Sequence, residues 1–141
     1  MILKKQITIH APVKKVWEAL TKPEWTNRYM YNCDAITDWK IGSPLIWKGH
    51  TDGKVYVIGK VVDIEPEKHL EFTTFDPNSD LQDIPSNYTK VTYDLSSENG
   101  ETQLSVTDGD FAKVGNGNKR FRDSLNGWNE TLNKLKAEVE K

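Results

Sequence analysis

Four side chains bring bulk or polarity to positions where their neighbours read as core: Phe72, Thr74, Tyr93 and Asp108. Side chains two apart on a strand share a face, so Leu70, Phe72 and Thr74 form one set, Val91, Tyr93 and Leu95 a second, and Leu104, Val106 and Asp108 a third. A phenol and a carboxylate on one surface could serve as acid and base of a cyclase- or hydrolase-like reaction, but nothing in the spacing demands it. They could equally anchor a bound molecule, or be core residues whose polar tips are satisfied locally. For Asp108, near its strand end, exposure is the expectation.

Other catalytic sets are scarce. His10, His50 and His69 are scattered among strand ends and turns without an HExxH-like pair, so no metal is expected. Cys33 has no His beside it in sequence and reads as a small buried residue. Gly115-Asn116-Gly117-Asn118 lacks the Lys-Ser/Thr ending of a phosphate loop and reads as the turn into the last helix, capped by Asn116 or Asn118. No cofactor is expected, and binding without turnover is the reading that follows.

The element that would position a bound molecule is that last helix, from about Asn118 to Val139. Phe121, Leu125, Trp128, Leu132, Leu135 and Val139 recur at spacings of four, three, four, three and four and make one apolar stripe. Phe121, Leu135 and Val139 read as core. At about 100° per residue, Ser124 and Thr131 border Trp128 on one side of the stripe, leaving the inner face half apolar and half hydroxylated. A pocket wall looks like this, and so does a helix edge at the solvent boundary. Gly127 costs a helix about 1 kcal/mol relative to Ala, which implies close packing or room left for a ligand.

A broad apolar stripe needs a broad partner, and the rest of the chain supplies strands. Ile2 to Ile9 alternates weakly; Pro12 then opens a short helix with Val13, Val16, Trp17 and Leu20 on one face, where Trp17 reads as core. Pro23 starts a second short helix bearing Trp25 and Tyr29, followed by Met30. Six strands follow: Cys33 to Trp39, Leu45 to His50, Lys54 to Ile64, His69 to Phe75, Tyr88 to Leu95 and Gln103 to Asp110. Their short links favour antiparallel pairing. The longer link, Asp76 to Asn87, could cover a cavity mouth or form a surface turn. Trp47 is a candidate for pocket lining. The segment Lys54 to Ile64 has apolar residues on both faces and could be covered twice, for example by a second copy of the chain.

The bounds agree with one domain spanning 1–141. With 19 basic and 21 acidic side chains the formal net charge is -2, which gives nucleic acid no electrostatic support. One cysteine cannot form an internal disulfide, no apolar run reaches the ~18 to 20 residues of a membrane span, and the first residues lack a signal-peptide core. A soluble, cytoplasmic protein is expected.

The order strand, two short helices, six strands and one long helix, together with several short motifs, resembles the START-like helix-grip superfamily, also called SRPBCC, and within it the bacterial relatives of the activator of the heat-shock-protein-90 ATPase. The motifs are His10-Ala11-Pro12 with Val16-Trp17-Glu18-Ala19-Leu20-Thr21, Pro85-Ser86-Asn87-Tyr88-Thr89 leading into Val91-Thr92-Tyr93-Asp94-Leu95, Gly100-Glu101-Thr102-Gln103-Leu104, and Gly127-Trp128 with Leu132 and Leu135. One departure is visible: where the family often has a Gly-Gly pair, this chain reads Ile41-Gly42-Ser43-Pro44. The resemblance implies an α+β fold in which a curved antiparallel sheet of about seven strands wraps a long carboxy-terminal helix. It also implies that the second helix, with Trp25, Tyr29 and Met30, borders a cavity mouth.

The expected function is binding of a small, largely apolar molecule between helix and sheet, at Trp47, Phe72, Thr74, Tyr93, Asp108, Ser124, Gly127, Trp128 and Thr131. The resemblance implies a second possibility, a module that contacts a chaperone or another protein; a homodimer is a further possible partner. A cyclase- or hydrolase-like enzyme is the third, because fold alone does not fix function.

Overall fold

Residues 1–141 are all described by the computed structural model. Asn99 and Gly100 both take left-handed backbone angles, φ 54° and 79°, the conformation of a two-residue hairpin turn that Asn-Gly favours. They join β6 (Thr89–Glu98) to β7 (Glu101–Gly109) in unbroken register from Glu98 opposite Glu101 to Lys90 opposite Gly109. The remaining strands are β1 (Leu3–Ile9), β2 (Cys33–Ile36), β3 (Pro44–Gly49), β4 (Val55–Glu65) and β5 (His69–Thr74). They form one curled antiparallel sheet in the order β1-β7-β6-β5-β4-β3-β2. Two short helices, α1 (Val13–Thr21) and α2 (Pro23–Tyr29), interrupt the path from β1 to β2, and α3 (Gly117–Val139) closes the chain. This is the expected α+β helix-grip architecture.

Strand β4 links the two parts of the sheet. Its first half pairs with β3 and its second half with β5, and at Gly59 the β5 backbone comes so close that an added Cβ would meet Thr73 O at 1.7 Å. Val61 pairs with Phe72 but Asp63 with Glu71, so Val62 is an extra residue in the ladder. The bulge resets the alternation: Val61 is buried and Ile64, three residues later, packs against the same core. The two apolar faces of this segment thus arise in part from one face interrupted by a bulge, rather than from a strand covered on both sides.

The core lies between the concave face of the sheet and the helices. The inward sets expected from alternation hold: Leu70 and Phe72, Val91, Tyr93 and Leu95, and Leu104, Val106 and Asp108 are all buried, and Thr74 half-buried. On α3 the buried residues are Trp128, Thr131, Leu132, Leu135 and Val139. Phe121 is only partly buried, contrary to expectation, and packs edge-on against Phe111 with ring centres 5.7 Å apart. The amino-terminal half of α3 spans open space, whereas its carboxy-terminal half lies on a filled core. Trp17 is likewise only partly buried, against the edge of the core. The second strand stops at Ile36 rather than Trp39, whose indole Nε1 donates instead to Thr21 O at 3.0 Å. Asn116 precedes α3 in the left-handed conformation and makes no side-chain cap bond.

On the outer face, register brings together groups far apart in sequence. His69 Nδ1 lies 2.6 Å from Asp94 Oδ1, its Nε2 lies 3.0 Å from Glu71 Oε1, and Asp63 Oδ2 stands 3.8 Å from Nε2. Burial pulls the imidazole pKa down, but hydrogen bonds and attraction from Asp94 and Glu71 outweigh it, so the net shift is upward. A histidine whose pKa is raised on folding adds stability that is fully present below its unfolded pKa of about 6.5 and lost as pH rises through the folded value. Denaturant unfolding of His69→Gln and wild type at about pH 6 and about pH 8.5 should show the larger stability gap at the lower pH. An equal gap at both would remove His69 as the source.

Candidate ligand cavity

Beneath the amino-terminal half of α3 the helix and sheet do not meet, and a cavity of about 690 Å³ remains, within the range of small-molecule sites. Trp47 of β3, Phe72 and Thr74 of β5, Val91 of β6 and Asp108 of β7 form its sheet side. Ser124, Gly127, Trp128 and Thr131 form its helix side. At the rim, Met30 and Tyr31 follow α2, while Asp76 and Arg120 stand at the start of the long loop and of α3. The spacing 124, 127, 128, 131 keeps the four helix positions on one side of α3.

An aromatic row stiffens the floor. Trp47 and Phe72 have ring centres 5.9 Å apart, Phe72 meets Tyr93 edge-on at 5.5 Å, and Tyr93 meets Trp128 edge-on at 5.9 Å. Edge-to-face pairs of this kind favour a fixed geometry over a collapsed one. Tyr93 is the one predicted site residue outside the lining: it lies behind the wall, 1% exposed. Burial, reinforced by the Asp108 charge, pushes its phenol far above the usual range.

Asp108 is the chemically distinctive member. It is 5% exposed, which corrects the expectation of exposure at the strand end: α3 lies over the last residues of β7 and covers it. Oδ2 accepts hydrogen bonds from Ser124 Oγ at 2.7 Å and from Trp128 Nε1 at 3.0 Å. Oδ1 is buried and accepts none. Burial drives the carboxyl pKa up, and the bonds from Ser124 and Trp128, the nearby Thr89 hydroxyl and the Arg120 charge only partly oppose it. Arg120 donates from Nη1 to Asn87 O at 2.9 Å, and burial lowers its own pKa against the pull of Asp108 and Asp76. The Thr74 and Thr89 hydroxyls bond each other at 2.9 Å. The arrangement is an apolar chamber with a small number of polar groups, one of them an incompletely bonded carboxylate.

A family model described as Activator of Hsp90 ATPase homolog 1-like protein matches residues 10–140. The chain belongs to that family. The match agrees with the resemblance to START-like relatives of the heat-shock-protein-90 activator. Among solved structures, ChR145 from Cytophaga hutchinsonii is 32% identical, with 99% of this chain and 94% of that one covered and a TM-score of 0.78. An Aha1 dimer from Colwellia psychrerythraea is 18% identical over 99% of this chain and 96% of that one, with a TM-score of 0.77. PFC0360w, an HSP90 activator from Plasmodium falciparum, is 17% identical over 99% and 96%, with a TM-score of 0.76. At these last two identities the likeness is one of fold. No curated protein sequence matches the chain.

Within this Aha1-like chain, eight of the nine positions singled out in the sequence border one cavity. At Gly127 a Cβ would stand 3.3 Å from the Tyr31 hydroxyl, the end of an exposed side chain that can give way and that itself reaches Gly127 O at 3.4 Å. Tyr29, expected near the mouth, turns inward, and its hydroxyl donates to Ala19 O at 2.7 Å; Met30 and Tyr31 take the rim position. Thr89 and Arg120 also line the cavity, at positions that the strand and helix periods mark. Thr89 shares the strand face of Val91 and Tyr93, and Arg120 stands one helical turn before Ser124. Tyr31 carried no signal, because a left-handed residue after a helix (φ 49°) sets its direction. The Asp63, His69 and Glu71 ligand atoms, all within 4.8 Å of one another, also went unseen, since the β4 bulge and β4–β5 pairing create the cluster.

Proposed function

We propose that this protein binds a small, largely apolar molecule between α3 and the concave sheet and does not transform it. The observation that carries the reading is the cavity of about 690 Å³, with 11 hydrophobic residues among its 20 lining positions. A concave space of this size, more apolar than polar and bordered by a few polar groups, has the form of a small-molecule site. The absence of turnover rests on Tyr93: a phenol behind the wall, held protonated by burial, does not reach a bound molecule as acid or base. The lone reduced Cys33 suits a cytoplasmic setting.

Thermal unfolding across a panel of lipids and aromatic metabolites tests it. At least one compound should raise the melting temperature, by about 2.7 kcal/mol of linkage at a hundredfold excess over its Kd. Ser124→Trp, which places an indole in the chamber, should abolish the rise while leaving the fold intact by circular dichroism. A panel that shifts nothing would sink the reading.

A second reading has its own support in the family match and in the likeness to an HSP90 activator: a protein-binding module for a chaperone. Affinity purification from the native cell separates the two. A stoichiometric chaperone partner favours the module, whereas recovery of the protein alone counts against it.

A further inference from the structure

We infer that the molecule bound in the cavity is neutral and carries a hydroxyl group that donates a hydrogen bond to the Asp108 carboxylate. This inference rests on the cavity-binding reading and adds a chemical class to it. Its basis is the incomplete bonding of a nearly inaccessible carboxylate that forms part of the cavity wall. Ser124 and Trp128 both donate to Oδ2, whereas Oδ1 has no donor within hydrogen-bond distance, the nearby Thr89 hydroxyl being bonded to Thr74. A buried acceptor left unpaired costs free energy, more so when it is charged. Oδ1 is shielded as it stands, but the terminal torsion of an aspartate is soft, so a turn of the carboxyl group opens Oδ1 to a ligand while lengthening the bonds at Oδ2.

The charge of the chamber narrows the class further. Asp76, Asp108 and Asp123 border it; Lys119 Nζ pairs with Asp123 at 2.6 Å, and the remaining cation, Arg120, has its guanidinium engaged by Asn87 O. An anionic head group beside Asp108 would meet that carboxylate and Asp76 with only Arg120 to offset them, and a fatty acid or aryl acid is therefore disfavoured. An ammonium would be drawn to Asp108 but would lose its hydration among apolar walls and stand near Arg120. A neutral alcohol or phenol supplies the missing donor with neither penalty. The aromatic floor of Trp47 and Phe72 suits a flat hydrocarbon body behind that hydroxyl.

The experiment compares pyrene derivatives by fluorescence titration of the intact chain. 1-Hydroxypyrene should bind about tenfold to a hundredfold more tightly than 1-methoxypyrene, which has the same ring but no donor. Pyrene-1-carboxylate should bind more weakly than either. In Asp108→Asn the amide oxygen keeps the bonds from Ser124 and Trp128 while its NH2 turns to the cavity, so the preference should reverse toward the methoxy compound. If hydroxy and methoxy probes bind alike, solvent satisfies Oδ1: the hydroxyl inference fails and cavity binding stands. Tightest binding by the carboxylate or by pyrenemethylamine overturns the neutral class. If no pyrene binds, the inference falls, and failure of the wider panel as well would remove the cavity reading. The wild-type comparison needs no variant, so misfolding of Asp108→Asn cannot mask the result.

Discussion

Replacing Trp128 by Ala is expected to destabilise the protein by about 3–5 kcal/mol, as for other buried Trp truncations, and to lower its melting temperature by about 10 °C or more. Trp128 is 9% exposed, closes the aromatic row through its edge contact with Tyr93, and donates to Asp108. Its removal therefore deletes packing, enlarges the adjoining chamber and strips one of the two donors from a buried carboxylate. Trp128→Phe separates these effects. It keeps most of the ring contact and loses only the indole donor, and should cost a fraction of the Ala change. Equilibrium denaturation of the two variants checks both. Equal losses would mean that the hydrogen bond to Asp108, rather than packing, dominates at this position.

The second large effect has the opposite sign. Asp108→Asn is expected to stabilise the protein at neutral pH. A carboxyl whose folded pKa lies above its unfolded value of about 3.9 binds more protons when folded between those two values. Stability therefore falls as pH rises through that window and stays reduced above it. Burial is the cause of the raised Asp108 value, and Ser124, Trp128, Thr89 and Arg120 offset it only in part. An amide of the same shape carries no charge to desolvate and can still accept from Ser124 and Trp128. The variant should melt a few degrees higher than wild type at about pH 7, with the advantage shrinking as pH falls toward about 4. Asp76 and Asp123 border the same cavity in both proteins, so their contributions cancel in the difference. A variant less stable than wild type at neutral pH would show that the ionised carboxylate contributes to the fold. Stability given up for an ionised group in a cavity wall is the pattern expected of a binding residue.

What could be read from the residues alone follows from local rules. Period-two alternation placed Phe72, Val91, Tyr93, Leu104 and Val106 on one side of the sheet, because the strand pleat leaves no other option. Period-3.6 recurrence placed Trp128, Leu132, Leu135 and Val139 on the inner stripe of α3. Sequence also marked Ser124, Gly127 and Thr131 as interruptions of that stripe. It could not say whether the interruption bordered solvent or an interior space, since both patterns look alike on a helix.

Tertiary structure decided that question, together with the state of each polar group. Asp108 becomes buried only because α3 crosses the end of β7, and its bonds to Ser124 and Trp128 join residues 16 and 20 positions away. Tyr93 leaves the wall because Phe72 and Trp128 close over it. The inward turn of Ile64 depends on a bulge at Val62 that no periodicity announces, and the grouping of Asp63, His69 and Glu71 depends on the same shifted register. Face and period are properties of a few neighbouring residues and survive in the sequence. Depth, partner and unfilled space depend on where distant elements stop relative to one another, and packing alone settles them.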